Sequence, residues 1–172
     1  MGKFVLGLVI GLLIVPVAVY FYFATGQAPV ATSAHPMPFE TMLAKKALRA
    51  KIEKEMPKSV PMQPDENNLL GGVQVYADNC AVCHGLPGQH ESNVAHGMFP
   101  YPPQLFKGKG VTDDPPQETF WKVQNGIRMT GMPGFKGSLG EPQLWQVSLL
   151  LANANKLPPS AQDKLKSAQI KP

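Results

Sequence analysis

The distribution of apolar and polar positions separates an apolar N-terminal segment from a longer region with helical periodicity. Residues 4–23, FVLGLVIGLLIVPVAVYFYF, contain no charged side chain. Twenty predominantly apolar residues are enough to cross a bilayer as a helix. The pattern therefore predicts a transmembrane anchor over residues 1–24.

The charges around this segment predict its orientation. Lys3 precedes it, and the next Lys or Arg is Lys45. Because positive flanks stay on the cytoplasmic side, we expect the rest of the chain to be exported. A signal peptide is the rival interpretation, since ATSA ending at Ala34 fits a cleavage site. The apolar run is, however, longer than the h-region of a typical signal peptide.

Residues 25–64 are predicted to form a Pro-rich spacer that contains one short charged helix. The first part, residues 24–39, is rich in small residues and proline, which is typical of a flexible linker. In residues 40–57, Leu43, Ala47 and Ala50 recur at helical spacing. The mixed charges between them favour a solvated spacer helix over one that binds a membrane surface or a partner.

Residues 65–158 carry the signals of three principal helices. Asp65 is a predicted N-cap for a helix from about Asn67 to Asp78. In DDPPQETFWKVQNG, we expect Asp114 to be the N-cap, Pro115 the first helical residue and Gly126 the end.

The third helix is predicted to begin near Pro142 and to end before the sequence KLPPS. One face of it carries Leu144, Val147, Ser148 and Leu151. No alternating strand pattern occurs, and 18 prolines and 16 glycines predict long loops. The sequence thus predicts a small all-α domain, followed by a basic tail over residues 159–172.

The formal net charge of +4 is spread along the chain. Residues 67–158 contain six basic and six acidic side chains and are neutral overall. No basic stripe with interleaved aromatic residues appears, so nucleic-acid binding is not expected.

Both cysteines lie in DNCAVCHG, two residues apart, with His84 directly after Cys83. A thioredoxin-like dithiol needs a βαβ context that the pattern lacks. A structural zinc site needs four ligands, and His35, His90 and His96 form no recognisable second half. A disulfide across two residues would be strained. CxxCH is the attachment signature of c-type haem.

Gly72, Tyr76 and Cys80 follow the pattern Gly-x-x-x-aromatic-x-x-x-Cys ahead of CxxCH. With these residues the chain resembles class I c-type cytochromes of the bacterial membrane-anchored monohaem kind, over roughly residues 67–157. The resemblance implies a cytochrome c-like haem domain in which Gly72 lets the last helix cross closely. Trp145 and Leu149 are the expected contacts on that helix.

The resemblance also implies the cofactor site. One covalent haem c would be attached to Cys80 and Cys83, with His84 as an iron ligand. In PPQL, the Pro103 carbonyl would accept a hydrogen bond from His84 and Leu105 would cover the porphyrin. Such a hydrogen bond would hold the imidazole ring in one orientation, which makes it a better-defined iron ligand.

The sixth ligand is expected from GIRMTGMPGF. The family's axial methionine usually precedes a proline, so Met132 is preferred over Met129. Gly131 and Gly134 would let the backbone approach the ring. His96 and Met98, in the insertion HESNVAHGMFPY, are weaker candidates for the sixth ligand. They are interpreted as loop residues near the haem edge.

Several other residues have mainly structural interpretations. Phe120, Trp121 and Trp145 are expected in the core, although the Trp145 indole N–H can also reach a haem propionate. Arg128 or Tyr101 is a further candidate for a propionate hydrogen bond.

Histidine–methionine ligation fills both axial positions and raises the reduction potential, so the expected function is one-electron transfer rather than enzymatic catalysis. The protein would shuttle electrons between membrane or periplasmic redox complexes, or serve as the cytochrome subunit of one. We expect it in the bacterial inner membrane, single-pass, with the haem domain on the periplasmic side and redox proteins as partners. A haem sensor or ligand-binding enzyme with a labile sixth site, and an assembly protein acting through residues 1–60, remain the alternatives.

Overall fold

The computed structural model describes residues 1–106 and 114–170 and divides the chain into two units, Met1–Ala44 and Lys45–Pro172. Within these residues it contains helices and no β-strand, which confirms the all-α prediction. The helices are α1 Gly2–Ala24, α2 Glu40–Glu55, α3 Glu66–Asn79, α4 Ala81–His84, α5 Asn93–His96, α6 Pro116–Asn125, α7 Glu141–Ala152 and α8 Pro159–Ser167.

Helix α1 is apolar from Phe4 onward, and Lys3 is its one charged residue. All of its side chains are exposed, and Pro16 lies inside it. Its length and composition are sufficient to cross a membrane, and an N-terminal signal sequence has the same properties.

Helix α2 begins in the first unit and continues into the second. The face expected from sequence, Leu43, Ala47 and Ala50, is exposed. In the second unit Ile52 is only 3 % exposed and Leu48 is half-buried. The sequence analysis favoured a solvated helix and did not identify the inward positions Leu48 and Ile52, because two apolar residues followed by the exposed, charged Glu55 do not form a longer apolar stripe.

Helix α3 begins where the sequence predicts. The Asp65 carboxylate accepts a hydrogen bond from the backbone N–H of Asn68, at 2.9 Å, as an N-cap does. The helix ends at Asn79, and α4 follows directly, so the two cysteines lie at the junction of these two helices.

Helix α6 begins one residue later than expected. Pro115 is its N-cap and Pro116 its first residue, so the assignment of Asp114 as N-cap is wrong. Either proline suits a first helical position, since neither has an N–H to lose, and the sequence alone cannot separate two adjacent prolines. Asp114 instead pairs with Lys122, at 2.7 Å. Gly126 ends the helix as predicted.

Helices α3 and α7 cross closely at Gly72. A Cβ built there would lie 2.4 Å from the Gln146 carbonyl oxygen and 2.9 Å from the Leu150 Cβ. The crossing is therefore as close as expected, but its nearest residues on α7 lie one position after the expected pair, Trp145 and Leu149. The Trp145 ring instead stacks on Phe120 of α6, with centroids 4.1 Å apart.

Helices α4, α5 and α8 had no counterpart among the predicted helices. Residues 159–172 were expected to be a basic tail, but α8 packs on α3, and Ala161 and Leu165 belong to the hydrophobic core. One apolar pair at i and i+4 is too short a pattern to indicate a buried helix. Helix α5 is a single turn inside the expected insertion, with Ser92 as its N-cap.

Candidate functional site

A cavity in the second unit brings together all six residues that the sequence analysis selected. Its walls include Cys80, Cys83, His84, Pro103, Leu105 and Met132. These residues come from the α3–α4 junction, from the segment after α5 and from the loop between α6 and α7. Most of the exposed area of the cavity wall is apolar.

The helical turn of α4 presents the CxxCH residues. The backbone N–H groups of Cys83 and His84 both donate to the Cys80 carbonyl, at 3.1 and 2.9 Å, and both thiols are free. Burial, and to a smaller extent the neighbouring Cys83, raises the pKa of Cys80 to about 12. Burial also raises the pKa of Cys83. Both side chains are therefore neutral thiols at pH 7.

The His84 imidazole is fixed by a backbone carbonyl. Its Nδ1 lies 2.8 Å from the Pro103 oxygen, and since a carbonyl only accepts, Nδ1 carries the proton in this hydrogen bond. Burial lowers the pKa of His84, and the bond to Pro103 opposes that shift without cancelling it. The ring is thus neutral, and Nε2 is the nitrogen left for a metal.

Tyr76 ties α3 to the turn that follows His84. Its buried hydroxyl donates to the Gly85 carbonyl at 2.7 Å, and its ring packs edge-on against Phe106. Burial, with a smaller contribution from Cys80, raises the pKa of Tyr76 well above its usual value, so the hydroxyl remains a donor. Tyr76, the aromatic residue of the Gly-x-x-x-aromatic-x-x-x-Cys pattern, therefore supports the CxxCH turn.

The loop that carries Met132 is bound to the C-terminal end of α6. The Ile127 N–H donates to the Met132 carbonyl at 3.2 Å, and the Phe135 N–H donates to the Val123 carbonyl at 2.9 Å. A Cβ on Gly134 would lie 2.7 Å from the backbone of Asn125. The close approach at Gly134 is thus to the backbone of α6.

Three methionines lie near this loop, in different environments. Met132 is half-buried and lines the cavity. Met129 has a φ of 60° and is 93 % exposed. Met98 also lines the cavity, and its terminal methyl lies 2.6 Å from the position that a Cβ on Gly131 would take. Of the two methionines in GIRMTGMPGF, Met132 is the one whose side chain lines the cavity.

Two residues of an ion-paired cluster, Asp114 and Lys122, line the cavity. Lys122 Nζ lies 2.7 Å from a carboxylate oxygen of Asp114 and 2.7 Å from one of Glu118. Burial lowers the pKa of Lys122, but the hydrogen bonds from its ammonium to both carboxylates outweigh this effect, and the net pKa is raised. Lys122 is therefore charged at pH 7 and is paired with both carboxylates.

The three propionate candidates differ in position. Tyr101 lines the cavity, and its hydroxyl donates to Glu91. Arg128 is exposed. The buried indole N–H of Trp145 has no hydrogen-bond partner among the described residues.

The cavity wall also contains residues that the sequence analysis did not select, among them Leu48 and Thr119. Leu48 comes from α2, which was taken as spacer, and Thr119 comes from the first turns of α6. Neither residue belongs to a sequence motif. Whether each one reaches the cavity depends on how the helices pack. The i, i+4 spacing of Leu48 and Ile52 is the sequence signal that could have indicated the inward face of α2.

The donor set fits a covalently bound haem. Two neutral thiols, a neutral imidazole with a fixed ring and a thioether line the same largely apolar cavity. Imidazole and thioether are the axial donors of haem iron in c-type cytochromes, and the thiols are the attachment groups of CxxCH. Among the described residues no group of three or more His, Cys, Asp or Glu side chains could hold a separate metal ion.

The match to a protein-family model agrees with this donor set. A family model described as cytochrome c oxidase, cbb3-type, subunit III, matches residues 67–149. No curated protein is significantly similar to the chain. A chain of the reducing HAO-like protein complex from Kuenenia stuttgartiensis has 23 % sequence identity and a TM-score of 0.47. The match covers 59 % of this chain and 52 % of that one, so it spans about half of that chain's length.

The matched residues begin one position into α3 and end within α7, so they contain the CxxCH turn, the Pro103 carbonyl and the Met132 loop. Covalent haem c and electron transfer are the properties that this family carries. Residues 67–149 of the chain are therefore a cytochrome c domain of this family.

Proposed function

We propose that the cavity binds one haem c, with thioether bonds from Cys80 and Cys83 and with His84 and Met132 as axial ligands. The observation that carries this proposal is the convergence of the CxxCH turn and Met132 on one apolar cavity. These parts are distant in sequence, and only one methionine of the GIRMTGMPGF segment reaches the cavity wall.

The two cysteines supply the covalent attachment. In each bond the sulfur joins one carbon of a vinyl group and the thiol proton is transferred to the other carbon. The addition consumes the vinyl double bond and needs no oxidant or reductant. The raised pKa values of Cys80 and Cys83 mean that both thiols carry the proton that this addition uses.

The axial residues set the redox behaviour. The hydrogen bond from His84 Nδ1 to Pro103 fixes the tautomer in which Nε2 is the ligand nitrogen. Backbone hydrogen bonds attach the Met132 loop to the end of α6. They hold the backbone of Met132 in place and so restrict the position of its thioether. His84 and Met132 would together fill both axial positions of the haem, which would supply one-electron chemistry at a raised potential.

The proposed role is that of a membrane-anchored carrier of single electrons. Helix α1 would be retained as a single-pass anchor in the bacterial inner membrane, and the haem domain would lie on the periplasmic side. The donor and acceptor would be redox proteins, either as diffusing partners or within a complex of which this chain is the cytochrome subunit. A tether raises the effective concentration of the haem domain near membrane partners.

We further propose a change to the domain limits expected from sequence. The haem domain would begin within α2 rather than at residue 65, and it would include α8 rather than end at residue 158. The burial of Ile52, Ala161 and Leu165 supports this division.

The Met132→Ala variant tests the ligand assignment. We expect the weak methionine–iron absorption band of the oxidised protein to disappear and the ferrous form to bind carbon monoxide. The reduction potential should fall by more than about 59 mV. At a fixed solution potential, a change of about 59 mV alters the ferric-to-ferrous ratio tenfold. Spectra of both oxidation states, a redox titration and carbon monoxide addition provide the measurement.

Met129→Ala is the matched control, because Met129 is exposed and does not line the cavity. It should leave the band and the potential unchanged. Loss of the band in Met129→Ala but not in Met132→Ala would reject the assignment. Ready carbon monoxide binding by the wild-type protein would instead favour the sensor or ligand-binding alternative.

A further inference from the structure

We infer that α2 is part of the haem site, with Leu48 packed against the haem and Ile52 and Glu55 attaching the helix to the domain. This inference rests on the proposed haem position. It extends the site to residues that precede the matched family domain, which begins at residue 67.

The three residues form one stripe on the helix. Leu48, Ile52 and Glu55 are spaced i, i+4 and i+7, so they share a face of a helix with 3.6 residues per turn. Away from this stripe, Arg49 and Glu53 form an ion pair whose side chains are 84 % and 59 % exposed. Helix α2 therefore has one inward and one solvated face within the second unit.

Burial and a hydrogen bond both attach this face to the domain. Ile52 is 3 % exposed, which places its whole side chain against other residues of the protein. The indole N–H of Trp121 donates to a carboxylate oxygen of Glu55 at 3.3 Å. Because Trp121 is nearly buried on α6, the bond fixes α2 to the helix that also supplies cavity-lining residues.

One turn earlier on the same face, Leu48 lines the cavity itself. It lies there with Thr119, Lys122 and Val123, all from α6. An apolar side chain at this position replaces water at the cavity wall. The hydrophobic shell around a metal site controls solvent access and the local dielectric, and with them the reduction potential. A helix expected to act only as a spacer thus shields the redox centre.

Methyl resonances test this contact directly in the full-length protein in detergent micelles. The protein is labelled with ¹³C in the leucine methyl groups and reduced to the diamagnetic ferrous form. A methyl group packed on the face of a porphyrin is shifted upfield by the ring current, and the shift falls steeply with distance. Leu48→Ile assigns the resonance by removing it, and Leu105→Ile assigns the reference residue of the proposed site.

We expect the Leu48 methyls to resonate upfield of the usual leucine range. Leu43, which is 58 % exposed on the same helix, is the matched control and should show ordinary shifts, assigned through Leu43→Ile. Leu48→Ala should also lower the reduction potential, whereas Leu43→Ala should not. A purely structural contact remote from the haem would produce neither the upfield shift nor the lower potential.

The outcomes separate this inference from the proposed function. If Leu105 is shifted and Leu48 is not, the haem occupies the proposed cavity and the role of Leu48 is rejected. If neither leucine is shifted although haem is bound, both the proposed haem position and the inference fail.

Discussion

Gly126 has a backbone conformation and surroundings that only glycine satisfies. Its φ is 69°, in the left-handed region, where a non-glycine residue is strained. A Cβ there would also lie 2.5 Å from the Gly134 nitrogen and 2.9 Å from the Met132 carbonyl oxygen. The end of α6 and the Met132 loop therefore contact each other backbone to backbone.

The Gly126→Ala variant should lose this contact. Strain in the left-handed region together with the clash should destabilise the haem domain by about 2–3 kcal/mol. Because the displaced segment carries Met132, we also expect the methionine–iron band to weaken. Thermal unfolding and the oxidised spectrum measure the two effects.

Gly137→Ala is the control, since no atom lies within 4 Å of a Cβ at Gly137 and its φ is not in the left-handed region. It should change neither stability nor spectrum. Equal stability of the two variants would show that the close contact at Gly126 is unimportant.

At the scale of elements, the crossing of α3 and α7 positions the CxxCH turn. Helix α3 leads directly into α4, and it packs on both α7 and α8. At the crossing, Gly72 meets the backbone of α7, whereas a Cβ on the adjacent Gly71 would meet only the end of the Gln146 side chain. The two glycines thus differ in what a methyl group would displace.

Because of this difference, we expect alanine to destabilise the protein at position 72 but not appreciably at position 71. Gly72→Ala forces two helices apart, because a backbone carbonyl cannot move alone, and should cost about 2–3 kcal/mol. Gly71→Ala should stay within about 1 kcal/mol of wild type, since alanine favours a helix by about 1 kcal/mol and Gln146 can change rotamer. Equilibrium unfolding of both variants, monitored by haem absorbance, checks the prediction. Equal losses would mean that the crossing is not the tight contact described above.

At the scale of the whole molecule, the chain combines an apolar helix with a haem domain that carries the redox chemistry. Residues 25–39 connect α1 to α2 and contain no charged side chain. If α1 is an anchor, cleavage within this connection should separate membrane association from electron transfer.

A protease site inserted between Val30 and Ala31 tests this separation. We expect the uncut protein to remain with the membranes after alkaline carbonate washing, and the cut haem domain to be released. The spectrum and potential of the released domain should equal those of the uncut protein, because α2 and α8 remain attached. Release of the haem domain without protease, with a new N-terminus after Ala34, would show a cleaved signal sequence instead.

The sequence alone was sufficient for the parts of this protein that depend on covalent spacing and local preference. The apolar run of α1, the N-cap at Asp65, the glycine that ends α6 and the CxxCH motif are each contained in a short window. Local hydrogen bonding and residue size determine such features, so they can be inferred before folding. The all-α class follows from the same local periodicities.

The tertiary structure decided which residues meet. Met132 lines the cavity while Met129 is exposed, although both occur in the same ten-residue segment. The inward face of α2 and the burial of α8 were also missed, because each is marked by only two apolar residues and a polar or charged neighbour. Burial of Ile52, Ala161 and Leu165 depends on surfaces supplied by distant segments. No local pattern contains that information, since the free energy of packing belongs to pairs of elements rather than to either one alone.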